Sequence, residues 1–241
     1  MRIMLRESTF TFLAVLLILF SSGVVFAQNQ KKVAYGILLD NTGSLRSQFD
    51  EVSTLGKSVV GQVYQKGPVS IFSFTNRGNM KNPLTVAGSE WSQDPDVLEG
   101  DIDELYVLGG QTPLLDAIDS IAKELNAKVN SEKDAFANSA IILITDGEDR
   151  VSRIKDDDLI NELKKTGVKV FAIGLVSELD SSSGFINRSK RGKAEDLLKK
   201  ITKETGGRVI FPGSKRQDRE KLMKELFAEP APGRSTSFRM Q

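Results

Sequence analysis

"GILLDNTGSL", Gly36 to Leu45, joins an unbroken apolar run to an Asp that is followed at once by Asn, Thr, Gly and Ser. An apolar run without polar alternation marks a strand covered on both faces, as in a parallel sheet held between helices. The Asp that ends such a strand stands at its carboxyl end, where open α/β sheets bind their ligands. Three chemistries use letters of this kind: a nucleophilic Asp, one half of an acid protease pair, or an Asp-x-Ser/Thr-x-Ser set of oxygen ligands. The rest of the chain decides among them.

Four further apolar runs read as strands, "VSIFSF" (Val69–Phe74), "AIILIT" (Ala140–Thr145), "VKVFAIGL" (Val168–Leu175) and "RVIF" (Arg208–Phe211), with a weaker edge strand near "PLTVA" (Pro83–Ala87). Helical patterns fill the gaps. Leu45, Phe49, Val52, Leu55, Val59 and Val63 share one face after the first strand, and Leu114, Ile118, Ile121 and Leu125 share another. Asp94 is an expected N-cap with Pro95 at the first helical position. "KDDDLINELKKTG" sets acids at its start and lysines with Gly167 at its end, as the helix dipole and a C-cap favour. Two more helices are expected near Lys193–Glu204 and Lys215–Ala228. The alternation predicts an α/β fold with a doubly wound, mostly parallel central sheet flanked by helices. "SELDSSSGFINRS" (Ser177–Ser189) reads as a long polar loop that includes the sequon triplet Asn187-Arg188-Ser189.

The amino terminus reads as a secretion signal. A short basic start precedes the apolar "FTFLAVLLILF" (Phe10–Phe20), and small residues at Val25 and Ala27 suit a peptidase that cuts after Ala27. The apolar core is short for a membrane span of about 20 residues. Residues 1–27 are therefore assigned to the signal, 31–228 to one domain and 229–241 to a tail. The expected location is periplasmic or secreted, with no membrane span after cleavage; an uncleaved N-terminal membrane anchor is the alternative. Loss of Arg2, Arg6 and Glu7 takes the formal net charge from +1 to zero, which gives no basic stripe for nucleic acid.

The chain has no His and no Cys. That removes Ser-His-Asp and Cys-His catalysis, imidazole or thiolate zinc sites and thiol redox chemistry. A metal here must be held by oxygen, which selects Mg2+, or Mn2+ or Ca2+. Besides Asp40, two oxygen-rich turns belong to the same sheet rim: "GGQTP" (Gly109–Pro113) and the end of "AIILITDGED" at Asp146.

"LLDNTGS", "GGQTPLLDAI", "ILITDGED", "VFAIGL" and "TGGRVIF" stand in the order of a von Willebrand factor type A domain, which this chain resembles over nearly all of its length after the leader. The resemblance implies a Rossmann-like fold and a metal-ion-dependent adhesion site. Asp40, Thr42 and Ser44 fall on its Asp-x-Ser-x-Ser element, Thr112 on the Thr of the second loop and Asp146 on the Asp of the third. It implies a non-catalytic module whose cation takes its last ligand from an Asp or Glu of a protein partner. Asn41, Gly110, Gln111 and Glu148 are the expected partner-binding rim. The resemblance also implies that the last helix moves when ligand binds. The chain departs from the family at Thr42, where Ser is usual. Thr keeps the oxygen but adds a methyl group and restricts the rotamer.

Plainer readings stand beside these. Asp40–Gly43 and Asp146-Gly147 would serve as turns, and Thr112 as an N-cap ahead of Pro113. Glu148 and Asp149 read as solvated charges, Asp116 as a helix-face residue, and Gly109-Gly110 as a tight turn, since no Lys-Ser/Thr follows to hold phosphate. A haloacid dehalogenase-like phosphatase would use Asp40 as nucleophile but wants an Asp where Thr42 stands. An aspartic protease has no residue between Asp and Thr. A metal-independent scaffold of the same fold is the remaining alternative.

Overall fold

The computed structural model describes residues 31–74, 84–180, 189–213 and 218–228. The leader, Asn187 and Arg188 of the sequon, and the tail lie outside them. Six strands form one sheet: β1 (Lys32–Asp40), β2 (Val69–Phe74), β3 (Leu84–Ser92), β4 (Phe136–Thr145), β5 (Lys169–Gly174) and β6 (Val209–Ile210). Their spatial order is β3-β2-β1-β4-β5-β6, parallel throughout except for β3, which runs antiparallel to β2. The helices are α1 (Phe49–Val63), α2 (Pro95–Asp103), α3 (Leu114–Ser131), α4 (Asp156–Thr166), α5 (Lys190–Glu204) and α6 (Arg219–Leu226). No helix among the described residues is long and apolar enough to cross a membrane.

The packing explains the unbroken apolar runs. Along β1, Ile37 and Leu39 join the core beneath α1 and α6, whereas Ala34 and Leu38 join the core beneath α3 and α4. In β4, Ile142 and Ile144 face the first layer and Ile141 and Leu143 the second. Both faces of the central strands are buried, so neither sheet face has a polar register. The chain leaves β1 for β2 on one side and, after β3, crosses to β4 on the other. The strand ends of β1 and β4 therefore flank the crevice where such sheets take ligands.

Local chemistry agrees with the sequence at several boundaries. The Asp94 side chain accepts from the Asp96 backbone N–H with Pro95 in the first turn, and Gly167 closes α4 in the left-handed conformation. The segment after β1 differs from one continuous helix. Gly43–Gln48 forms a 3-10 turn with Leu45 buried, and the α-helix starts at Phe49. The edge strand extends to Ser92, well beyond the expected span, and kinks at Gly88, whose φ is +69°. β6 is two residues long, shorter than the apolar run suggests.

Two glycines test how tightly the layers close. A Cβ on Gly207, in the turn ahead of β6, would lie 1.9 Å from the Val170 carbonyl oxygen. Gly61 is exposed on α1 and a Cβ there would meet nothing within 4 Å. Gly207→Ala is expected to destabilise the fold by about 3 kcal/mol, because backbone must shift. Gly61→Ala is expected to stabilise it by about 0.5–1 kcal/mol through helix propensity. Urea denaturation of the two variants beside the parent checks both signs.

Candidate functional site

β1 ends at Asp40 and β4 at Thr145, with Leu39 in register with Ile144, so the two strands deliver Asp40 and Asp146 to one edge. Both carboxylates are buried, at 0% and 1% exposure. Asp40 Oδ1 accepts from the Thr42 backbone N–H at 3.0 Å and from Thr42 Oγ1 at 2.7 Å, and Oδ2 accepts from Thr145 Oγ1 at 2.6 Å. Asp146 Oδ1 accepts from the Glu148 N–H at 2.9 Å, while Oδ2 is buried and has no hydrogen-bond partner. The two backbone bonds are the turn-forming contacts expected of Asp at a strand end. Here they also fix where each carboxylate faces.

The hydroxyls gather on the same point. Thr42 Oγ1 lies 3.1 Å from Ser44 Oγ and 3.3 Å from Thr112 Oγ1. The Ser44 hydroxyl is also near enough to Asp146 to favour its charged form. Asp40, Thr42, Ser44, Thr112 and Asp146, named from the sequence, thus meet in one cluster of two carboxylates and three hydroxyls. Burial pushes the Asp40 carboxyl up to about 7; the nearby Asp146 charge adds to the rise, and the bonds from Thr145 and Thr42 oppose it. Asp146 is also raised, by burial first, with the Glu148 N–H and the nearby Ser44 hydroxyl opposing.

The expected rim is only partly a rim. Gly110 and Gln111 are exposed, and Gly109 and Gly110 both take positive φ, as a tight turn requires. Asn41, by contrast, is 1% exposed. Its Nδ2 donates to the Tyr106 carbonyl at 3.2 Å, its own carbonyl accepts from the Leu108 N–H at 3.0 Å, and its Oδ1 is buried without a partner. Asn41 is a clamp between loops, not a surface contact. Glu148 is half-buried in an ion pair with Arg150.

Other acids also take unexpected roles. Thr112 makes no cap; α3 begins at Leu114, and its first N–H groups are met from a distant loop. Ser152 Oγ accepts from the Leu115 and Asp116 N–H groups at 3.0 and 3.1 Å and donates to Asp149 Oδ1 at 2.5 Å. Asp149 is therefore a half-buried brace rather than a solvated charge. Asp116 Oδ1 accepts from the backbone N–H groups of Arg153 and Ile154, each at 3.0 Å, so it fastens that loop instead of merely facing solvent. Sequence reasoning passed over Thr145, which looks like the last residue of a strand. Its polarity at the end of an apolar run, directly before Asp146, was the available signal.

Residues 36–231 match the family model of the von Willebrand factor type A domain. No curated protein matches the chain. Among solved structures, the pilus adhesin SpaC from Lactobacillus rhamnosus GG, in an open conformation, is similar at 14% identity and a TM-score of 0.57, over 83% of this chain and 29% of that one. A von Willebrand factor type A protein from Catenulispora acidiphila is similar at 15% identity and a TM-score of 0.55, over 81% and 41%. The conserved hypothetical protein BatB from Bacteroides thetaiotaomicron gives 15% and 0.54, over 80% and 96%. The chain spans less than half the length of the first two. At these identities the likeness is one of fold.

A carboxyl raised in the folded state weakens the fold as pH climbs from its unfolded value, near 4, toward about 7, because the native state then holds the extra proton. In the presence of chelator, stability is expected to fall across that window by on the order of a few kcal/mol. Asp40→Asn is expected to flatten the fall and to exceed the parent in stability near pH 8. Urea titrations at several pH values measure it; an unchanged pH profile in the variant would show that Asp40 does not bear the cost.

Proposed function

We propose a function from one premise: this chain belongs to the von Willebrand factor type A domain family, whose model matches more than half of it. The chain is a non-catalytic protein-binding module that works through a divalent cation, Mg2+ or else Mn2+ or Ca2+. Asp40, Thr42, Ser44, Thr112 and Asp146 would hold the ion, and a partner Asp or Glu would complete its coordination. The observation that carries this reading is Asp146 Oδ2, a buried carboxylate oxygen with no partner, set beside a second buried carboxylate. Leaving a buried charge unpaired costs several kcal/mol, so the donor set fits a hard cation better than it fits its own company.

When bound, the ion supplies positive charge against both carboxylates and a coordination position open to an incoming acid. The chain's own residues do the rest. Thr42 and Thr145 orient Asp40, the Glu148 N–H orients Asp146, and the Arg150 N–H holds the Thr112 carbonyl at 2.9 Å. Arg150 also offsets part of the Asp146 charge. The phosphatase alternative is disfavoured at Thr42, which stands where that chemistry wants an acid/base Asp and instead donates its hydroxyl to Asp40 at 2.7 Å. An exported location accords with the leader, and the adhesin among the structural relatives supports an extracellular role.

Mg2+ is expected to raise the melting temperature of the purified chain by several degrees at pH 8, and much less near pH 5, where Asp40 holds its proton. Thr112→Ala and Asp146→Ala are each expected to remove the shift. Capture of partners from extract in Mg2+ against EDTA tests the module itself. A parent protein indifferent to Mg2+, Mn2+ and Ca2+, with equal capture under both conditions, would leave the metal-independent scaffold.

A further inference from the structure

The loop from α2 to α3 carries Leu105, Tyr106, Val107 and Leu108 just before the Gly109-Gly110 turn. Leu105 packs against the core, but Tyr106 is 65% exposed, more than any other large apolar side chain among the described residues. A single exposed aromatic needs no explanation by itself. The attachment of this one does. The Tyr106 carbonyl is held by Asn41 Nδ2, and two residues later the Leu108 N–H donates to the Asn41 carbonyl. Asn41 lies between Asp40 and Thr42, so the loop is fastened at the residue between two of the site's oxygen donors. On its other flank Gly109 lies against the same turn, since a Cβ on Gly43 would sit 3.7 Å from Gly109 Cα.

That fastening has an energetic cost. Asn41 is buried with its Oδ1 unsatisfied, an arrangement that costs about 1–3 kcal/mol in general. Its amide meets one group, the carbonyl of the exposed tyrosine. Tyrosine offers a flat amphipathic face with few rotatable bonds, the property that makes it a frequent anchor of binding energy. Consecutive Cα atoms are about 3.8 Å apart, and this loop is one hydrogen bond away from Asn41, the residue between Asp40 and Thr42, so the loop and the site are separated by a distance of the order of one residue of a partner chain.

We propose that Tyr106, held in place by Asn41, is a specificity-determining contact that selects partner segments in which the acidic residue has an apolar or aromatic neighbour. The proposal rests on the cation-dependent reading above and adds to it the class of sequence recognised. Tyr106 acts on the partner directly, and Asn41 is its positioning residue.

The test probes an array of peptides, each with a central Glu and every common residue in turn on either side, with the purified chain in Mg2+ or EDTA. In Mg2+, peptides with aromatic or large aliphatic neighbours are expected to bind about tenfold more tightly than those with Gly neighbours. Tyr106→Ala is expected to level that preference while keeping the Mg2+-induced thermal shift. Tyr106→Phe is expected to keep the preference, and Asn41→Ala to reduce it, in protein shown to be folded by circular dichroism. A Tyr106→Ala chain with the parent's ranking and Mg2+ dependence overturns the role of Tyr106 and leaves the site reading intact. Retention of no peptide, or retention indifferent to EDTA, overturns the site reading and this inference with it.

Discussion

Two carboxylates buried side by side at the ends of adjacent parallel strands set the terms for the rest of this structure. The register of β1 with β4 brings Asp40 and Asp146 to the same edge, and the helix layers on both faces remove water from them. A carboxylate without water needs donors or a counter-charge. Asp40 has donors, from Thr42 twice and from Thr145. Asp146 has them on one oxygen only. The imbalance lies at the strand ends where sheets of this kind take ligands.

The loops around that pair are tied to one another. Asn41 holds the loop of Tyr106 and Leu108, the Arg150 N–H holds Thr112, and Ser152 with Asp149 meets the open N-terminus of α3. Asp116 returns the contact to residues 153 and 154. A helix start left unsatisfied would cost free energy, and the loop after β4 supplies the partners that the start of α3 needs. Thr112 sits at the junction of both contacts. Its position therefore depends on residues far from it in the chain, and a change at Ser152 or Asp149 acts on the site without touching it.

The same distances explain what was legible beforehand. β1, β2 and β4 were readable because strands covered on both faces write themselves as unbroken apolar runs. β3 was harder, since an edge strand kinked at Gly88 carries polar residues and no such run. Asp40, Thr42, Ser44, Thr112 and Asp146 could be named because each lies at a turn next to a recognisable element. Asn41 misled for the opposite reason. A turn Asn is normally wet, and the partner of this one's side chain, the Tyr106 carbonyl, is 65 residues away. Asp149, Ser152 and Asp116 were illegible on the same ground, as their partners lie 34 to 38 residues off along the chain.

Thr42, the residue at which this chain departs from its family's usual Ser, is the centre of the hydroxyl network. A hydroxyl has one hydrogen and two acceptor lone pairs. The 2.7 Å contact places the Thr42 hydrogen on Asp40, which leaves the lone pairs facing Ser44 at 3.1 Å and Thr112 at 3.3 Å. All of its capacity is engaged. A lone pair of Thr42 becomes available to anything else when Ser44 or Thr112 turns its hydroxyl hydrogen elsewhere, a rotation about a single bond that leaves the backbone in place. The methyl group supports this arrangement, because a β-branched side chain is held more firmly at χ1 than Ser. The substitution thus exchanges side-chain freedom for a fixed oxygen, at a position that touches Asp40, Ser44 and Thr112 at once.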